Sequence, residues 1–169
     1  MKTSRTLVIA LMAFVVAMAA SCGIYSFTGA SYGTAKTVSI AYFQNRSTYV
    51  NSTLSSKITE DLKDRFMSQT PLSLVKENGD LNFEGTITGY TITTAAIKAG
   101  ETAASNRLTI TMKVTFTNQT APENDFDKSY SRYADYEVSS SFAAVESELV
   151  DEIVKLLIDD IFNDSVVNW

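Results

Sequence analysis

The chain has 169 residues, a length served by one hydrophobic core rather than two. Hydrophobic residues make up 45% and charged residues 20%, the ordinary globular balance, which excludes the composition of a disordered chain. With 14 Lys and Arg against 19 Asp and Glu, the net charge is −5, which excludes the dense basic surface of a phosphate-backbone binder, so nucleic acid is not expected as a partner.

Lys2 and Arg5 precede an uncharged run, residues 6–20, that includes Leu7, Val8, Ile9, Leu11, Met12, Phe14, Val15 and Val16. A charged start followed by a short apolar stretch ending in small residues reads as a secretory signal rather than a retained membrane span. The stretch ends Ala19-Ala20-Ser21-Cys22, which resembles the lipobox of bacterial lipoproteins, with Ala19 where that pattern prefers Leu. The resemblance implies that residues 1–21 are a lipoprotein signal peptide and that Cys22 receives diacylglycerol. Cys22 is the only cysteine, so an internal disulfide is excluded and stability must come from the core. Two or three acyl chains, at about 0.8 kcal/mol per buried methylene, hold a protein to a membrane where a single chain does not. The mature start lacks the second-position Asp and the acidic run that redirect such lipoproteins, which favours the periplasmic leaflet of the outer membrane. Residues 22–36, rich in Gly, Ser and Thr with Tyr25, Phe27 and Tyr32, read as a tether.

Residues 37–169 read as a single domain. In residues 37–43, Val38, Ile40 and Tyr42 share one side, which predicts the first strand. Leu54, Ile58, Leu62 and Phe66 recur every four residues among charged ones, predicting an amphipathic helix that Asn51 or Ser52 caps and Pro71 stops. Residues 72–75 form a short strand candidate, and Asn78-Gly79 suits a hairpin turn leading into residues 81–93. Gly85 and Gly89 in that strand predict either a bulge or a close approach of another group to the backbone. Residues 95–106 are a longer connection of small residues around Gly100.

In residues 107–118, Leu108, Ile110, Met112, Val114 and Phe116 alternate with Thr and Lys, so one face is buried and the other wet. Residues 126–136 alternate less cleanly and read as the last strand. A long helix over residues 143–163 then carries the stripe Val145, Leu149, Ile153, Leu156, Leu157 and Ile161. Its acidic residues, including Asp151, Asp159, Asp160 and Asp164, read as a solvated face. Elements with one apolar side each satisfy one another as an α+β two-layer sandwich, two helices on one face of a mainly antiparallel four- or five-stranded sheet.

The chain has no histidine, and its one cysteine is assigned to the anchor, so Ser-His-Asp, Cys-His and His-ligated zinc chemistry are excluded. Adjacent carboxylates such as Asp159-Asp160 point about 100 degrees apart on a helix, a poor geometry for acid–base work. No enzymatic activity, metal or cofactor is expected. Lys98, Arg107, Lys113, Lys128 and Arg132 are candidate contacts for the phosphates of a glycolipid, set against the alternative of ordinary scattered surface charge.

The mature chain resembles the lipopolysaccharide-assembly lipoprotein family LptE in its Bacteroidetes form. The resemblance rests on Cys22-Gly-Ile-Tyr-Ser-Phe-Thr-Gly29, Lys36-Thr-Val-Ser-Ile40, Phe43-Gln-Asn-Arg46, Leu81-Asn-Phe-Glu-Gly-Thr-Ile-Thr-Gly-Tyr90, Asn106-Arg-Leu-Thr-Ile110 and Ser131-Arg-Tyr-Ala-Asp-Tyr136. It implies a lipoprotein that sits inside the lumen of the outer-membrane β-barrel LptD, assists its assembly, and helps deliver lipopolysaccharide to the outer leaflet. The alternative is a periplasm-facing lipoprotein that scaffolds another envelope assembly or binds a small ligand.

Overall fold

The structure, a computed structural model, describes residues 33–49, 51–95 and 105–166. The expected leader, the lipidation site Cys22, most of the tether and Lys98 lie outside them. The described elements are β1 (Thr37–Ile40), β2 (Gln44–Asn45), α1 (Leu54–Gln69), β3 (Ser73–Val75), β4 (Leu81–Ala95), β5 (Ser105–Asn118), a 3-10 turn (Pro122–Asn124), β6 (Phe126–Glu137) and α2 (Phe142–Val166).

The sheet has the order β3-β1-β4-β5-β6, with β2 also paired to β4. Here the structure corrects the expectation of a mainly antiparallel sheet of four or five strands. The sheet is mixed and six-stranded: β1 runs parallel to both β3 and β4, β2 runs parallel to β4, and only β4-β5-β6 is antiparallel. Asn78-Gly79 therefore does not close a hairpin, because β3 and β4 lie on opposite sides of β1. Asn78 does take a positive φ of 54°, but the loop it bends wraps the end of β1. The Gly79 amide donates to Ser39 Oγ at 3.3 Å, and the Asp80 carboxylate accepts from the amides of Lys36 and Thr37 at 2.8 and 3.0 Å. Those amide bonds, first that from Lys36, hold the Asp80 carboxyl below its ordinary pKa. A Cβ on Gly79 would collide with the β1 backbone, so glycine is needed here for close approach rather than for a turn.

The first strand also ends sooner than its alternation predicts. Val38 and Ile40 are buried, but Tyr42 is 57% exposed and Phe43 is fully buried. Between the β1 and β2 pairings the chain carries one residue more than β4, and the ring of Phe43 seats directly on Gly85, where any Cβ would overlap it. The two glycines of β4 thus do different things. Gly85 admits Phe43, and Gly89 adjoins the register shift between Ile87 and Gly89, which is a bulge.

α1 begins where Asn51 Oδ1 accepts from the amides of Thr53 and Leu54 at 3.0 and 3.1 Å, satisfying helix-end donors that have no partner inside the helix. Its Leu54, Ile58, Leu62 and Phe66 are all fully buried. α2 buries Leu149, Ile153, Leu157 and Ile161 as the stripe predicts, and adds Val150, Val154, Ile158 and Phe162. Leu156 departs from the prediction and is 39% exposed, because the buried stripe passes through positions 153, 154, 157 and 158 and leaves 156 on the outer side. Both helices cover the sheet face formed by Phe83, Ile87, Leu108, Ile110, Met112, Val114 and Phe116. Phe66, Phe83, Phe116 and Phe126 stack through it at centroid spacings of 4.8–5.0 Å, within the range where aromatic pairs add to simple burial.

Candidate interaction surface

Alternation along β4, β5 and β6 sends every second side chain to the face that no helix covers. Paired across this open face are Thr93 with Arg107 and Asp135, Thr91 with Thr109 and Tyr133, Thr86 with Lys113 and Ser129, and Glu84 with Thr115 and Asp127. Thr111 and Ser131 join hydroxyls at 2.9 Å. The face is polar, and its charges are internally matched. Arg107 forks onto Asp135 at 2.7 and 2.8 Å with its guanidinium 3.6 Å above the Tyr133 ring, and Lys113 meets Asp127 at 3.0 Å. The Asp135 hydrogen bond raises the Arg107 pKa further.

Lys128 and Arg132 do share one side of β6, and it is the helix side. Lys128 meets Asp164 of α2 at 3.0 Å and Arg132 forks onto Asp160 with two bonds of 2.6 Å. The basic candidates therefore divide between two faces, each described one already holding a carboxylate. The acidic side of α2 is likewise more than a solvated face. Lys57 of α1 pairs with Asp151 at 2.9 Å and Arg65 with Asp159 at 2.9 Å, so α2 is clamped from both flanks. The adjacent pair Asp159 and Asp160 makes this possible, since their angular separation directs one to α1 and the other to β6. Tyr90 and Tyr130 donate to Glu146 and Asp164 at 2.7 and 2.9 Å. Burial first, and then these bonds, push both phenols well above their ordinary pKa.

Where β1 gives way to β2, the open face has a recess of about 430 Å³ lined by Gln44, Arg46, Glu84, Thr86, Lys113 and Thr115. A second recess of about 400 Å³, reaching Lys76 and Asn82, shares Ala41 and Glu84 with it. Arg46 is exposed and, alone among the described arginines, has no carboxylate partner there. In the sequence Arg46 stands out only as the end of the segment Phe43-Gln-Asn-Arg46 that resembles the family. Its isolation depends on which acids the sheet register brings near, which no local pattern encodes.

Among the described residues no group of three His, Cys, Asp or Glu is arranged to hold a metal, and no helix is long and apolar enough to cross a membrane. The fold and this surface define a two-layer α+β sandwich with one face finished by helices and the other left open. The chain belongs to the LptE family of lipopolysaccharide assembly, whose model matches residues 35–165. That membership makes it a cell-envelope lipoprotein. No curated protein matches the chain. Among solved structures, a neuraminyllactose-binding hemagglutinin homolog from Helicobacter pylori shares the fold at TM-score 0.51 and 7% identity, covering 78% of this chain and 83% of its own. A minor lipoprotein from Acinetobacter baumannii aligns at TM-score 0.47 and 12% identity, over 78% of this chain and 95% of its own.

Proposed function

We propose that this chain is an outer-membrane lipoprotein, anchored on the periplasmic side through Cys22, and that it is the internal partner and assembly factor of an LptD-like β-barrel that delivers lipopolysaccharide to the outer leaflet. The observation that carries this reading is the family match over residues 35–165. The build of the domain supports it. One sheet face is closed by its own helices, while the other is broad and polar, with the charges along β5 and β6 paired within the chain, so that docking there buries few unpaired charges. Lipopolysaccharide phosphates would meet Lys98, Arg107, Lys113, Lys128 and Arg132. For the four described residues this requires displacing a carboxylate from an ion pair at the surface, where water screens the pair.

Depleting the protein tests the reading directly. Barrel abundance and surface lipopolysaccharide should both fall, and mass spectrometry of the mature N-terminus should show acylated Cys22. Normal barrel and normal surface lipopolysaccharide after depletion would overturn it and leave the scaffold of another envelope assembly as the function.

A further inference from the structure

We infer that the recess around Arg46 is the point at which this chain grips its protein partner, and that the group received there is an Asp or Glu carboxylate carried on an extended segment. The inference rests on the proposed barrel partnership and assigns the surface that makes it.

Three observations converge. Arg65, Arg107 and Arg132 each hold a carboxylate within 2.9 Å, whereas Arg46 holds none among the described residues and lines a cavity instead. A guanidinium is a planar two-pronged donor whose geometry matches a carboxylate. The local charge then selects among anions. Lys113 in the same recess is already tied to Asp127 at 3.0 Å, and Glu84 adds a negative charge to the lining. One uncommitted cation beside one free carboxylate suits a singly charged group. A phosphate, which carries about 1.5 to 2 negative charges, would face Glu84 and would need Lys113 released from Asp127 in addition to Arg46 to answer it.

The shape of the site selects the carrier. Two recesses share a wall at Ala41 and Glu84 on the uncovered face, and the second is lined by Lys76 and Glu77, neither of which has an ion-pair partner among the described residues. Gln44, Thr86 and Thr115 supply amide and hydroxyl groups along the first, and Asn82 and Thr117 along the second. A run of polar groups across two recesses of mixed charge fits an extended polar segment, with its acidic side chain at Arg46, better than a compact solute.

The test is photocrosslinking in cells on the full lipidated chain, with the reactive residue placed in the recess at Gln44 or Thr86 and, separately, on the outer side of α2 at Glu152 or Lys155. Barrel peptides containing Asp or Glu should be captured from the recess positions. Arg46→Glu should lower that yield about tenfold or more, as loss of one member of a buried pair does, and Arg46→Lys should retain part of it. The Arg46 side chain makes no hydrogen bond or ion pair among the described residues, so the melting temperature should change little, and Arg46→Gln provides the same loss should Arg46→Glu fold poorly. Capture of glycolipid alone, or of a second copy, from the recess overturns the inference. Capture of the barrel from the α2 positions alone also overturns it but leaves the proposed function standing. No barrel from any position, with normal barrel levels on depletion, overturns both.

Discussion

The two faces of the β4-β5-β6 sheet are made by the same strands, and they answer opposite demands. On the helix side Leu108, Ile110, Met112, Val114 and Phe116 are all fully buried, and their neighbours are fixed by close packing, so shape matters to within a methylene. On the open side Thr109, Thr111, Thr115 and Thr117 stand among charge pairs that are partly or wholly exposed. Water can replace most of what those side chains do. Stability should therefore reside almost wholly in one face, leaving the other free to be specified by a partner.

That asymmetry can be broken most sharply at Phe116, which contacts both Phe83 and Phe126. Phe116→Ala should cost about 3 to 5 kcal/mol, read as the midpoint of denaturant unfolding, and a loss no larger than that of an open-face substitution would refute the division. Gly85 comes next. Gly85→Ala puts a methyl group into the space of the Phe43 ring and should cost about 1 to 3 kcal/mol as overpacking, largely recovered in the double variant with Phe43→Leu. A stability unaffected by Gly85→Ala would mean that Phe43 is not seated there.

Alkaline titration sharpens the same contrast. Tyr90 and Tyr130 lie on the helix side with phenols whose pKa is raised in the fold. A raised folded pKa means that the contribution is complete below the unfolded value of 10.0 and is lost as pH rises beyond it. The native protein should lose stability above about pH 10, and Tyr90→Phe with Tyr130→Phe should flatten that loss. An identical slope in the double variant would show that the phenols ionise freely. At the small end, Thr109→Ala on the open face should change stability by no more than about 0.5 kcal/mol, and a double-mutant cycle across Arg132 and Asp160 should return a coupling well below the loss at Gly85→Ala, because water screens that pair.

Several features are set by the sequence alone. The periods of 3.6 and 2 in residues 54–66 and 108–116 reflect local geometry and need no knowledge of neighbours, so α1, β5 and the buried sides of both were readable directly. The Asn51 cap, the stop at Pro71 and most of the α2 stripe are local in the same way. The absence of histidine and the single Cys22 limit the chemistry without reference to any fold.

Tertiary structure decided the rest, because it depends on which strands become neighbours. Asn78-Gly79 carries a hairpin signature, yet β1 inserts between β3 and β4 and turns that loop into a latch on its own end. Parallel pairing leaves no local mark, since its partners lie some forty residues apart in the chain. The extra residue between β1 and β2, which goes with a buried Phe43 and an exposed Tyr42, depends on Gly85 in another strand. The candidate site follows the same logic. Lys128 and Arg132 read as surface charge in the sequence and become ion pairs because α2 lies beside β6, and Arg46 differs from the other described arginines because the fold brings no acid within ion-pair distance of it.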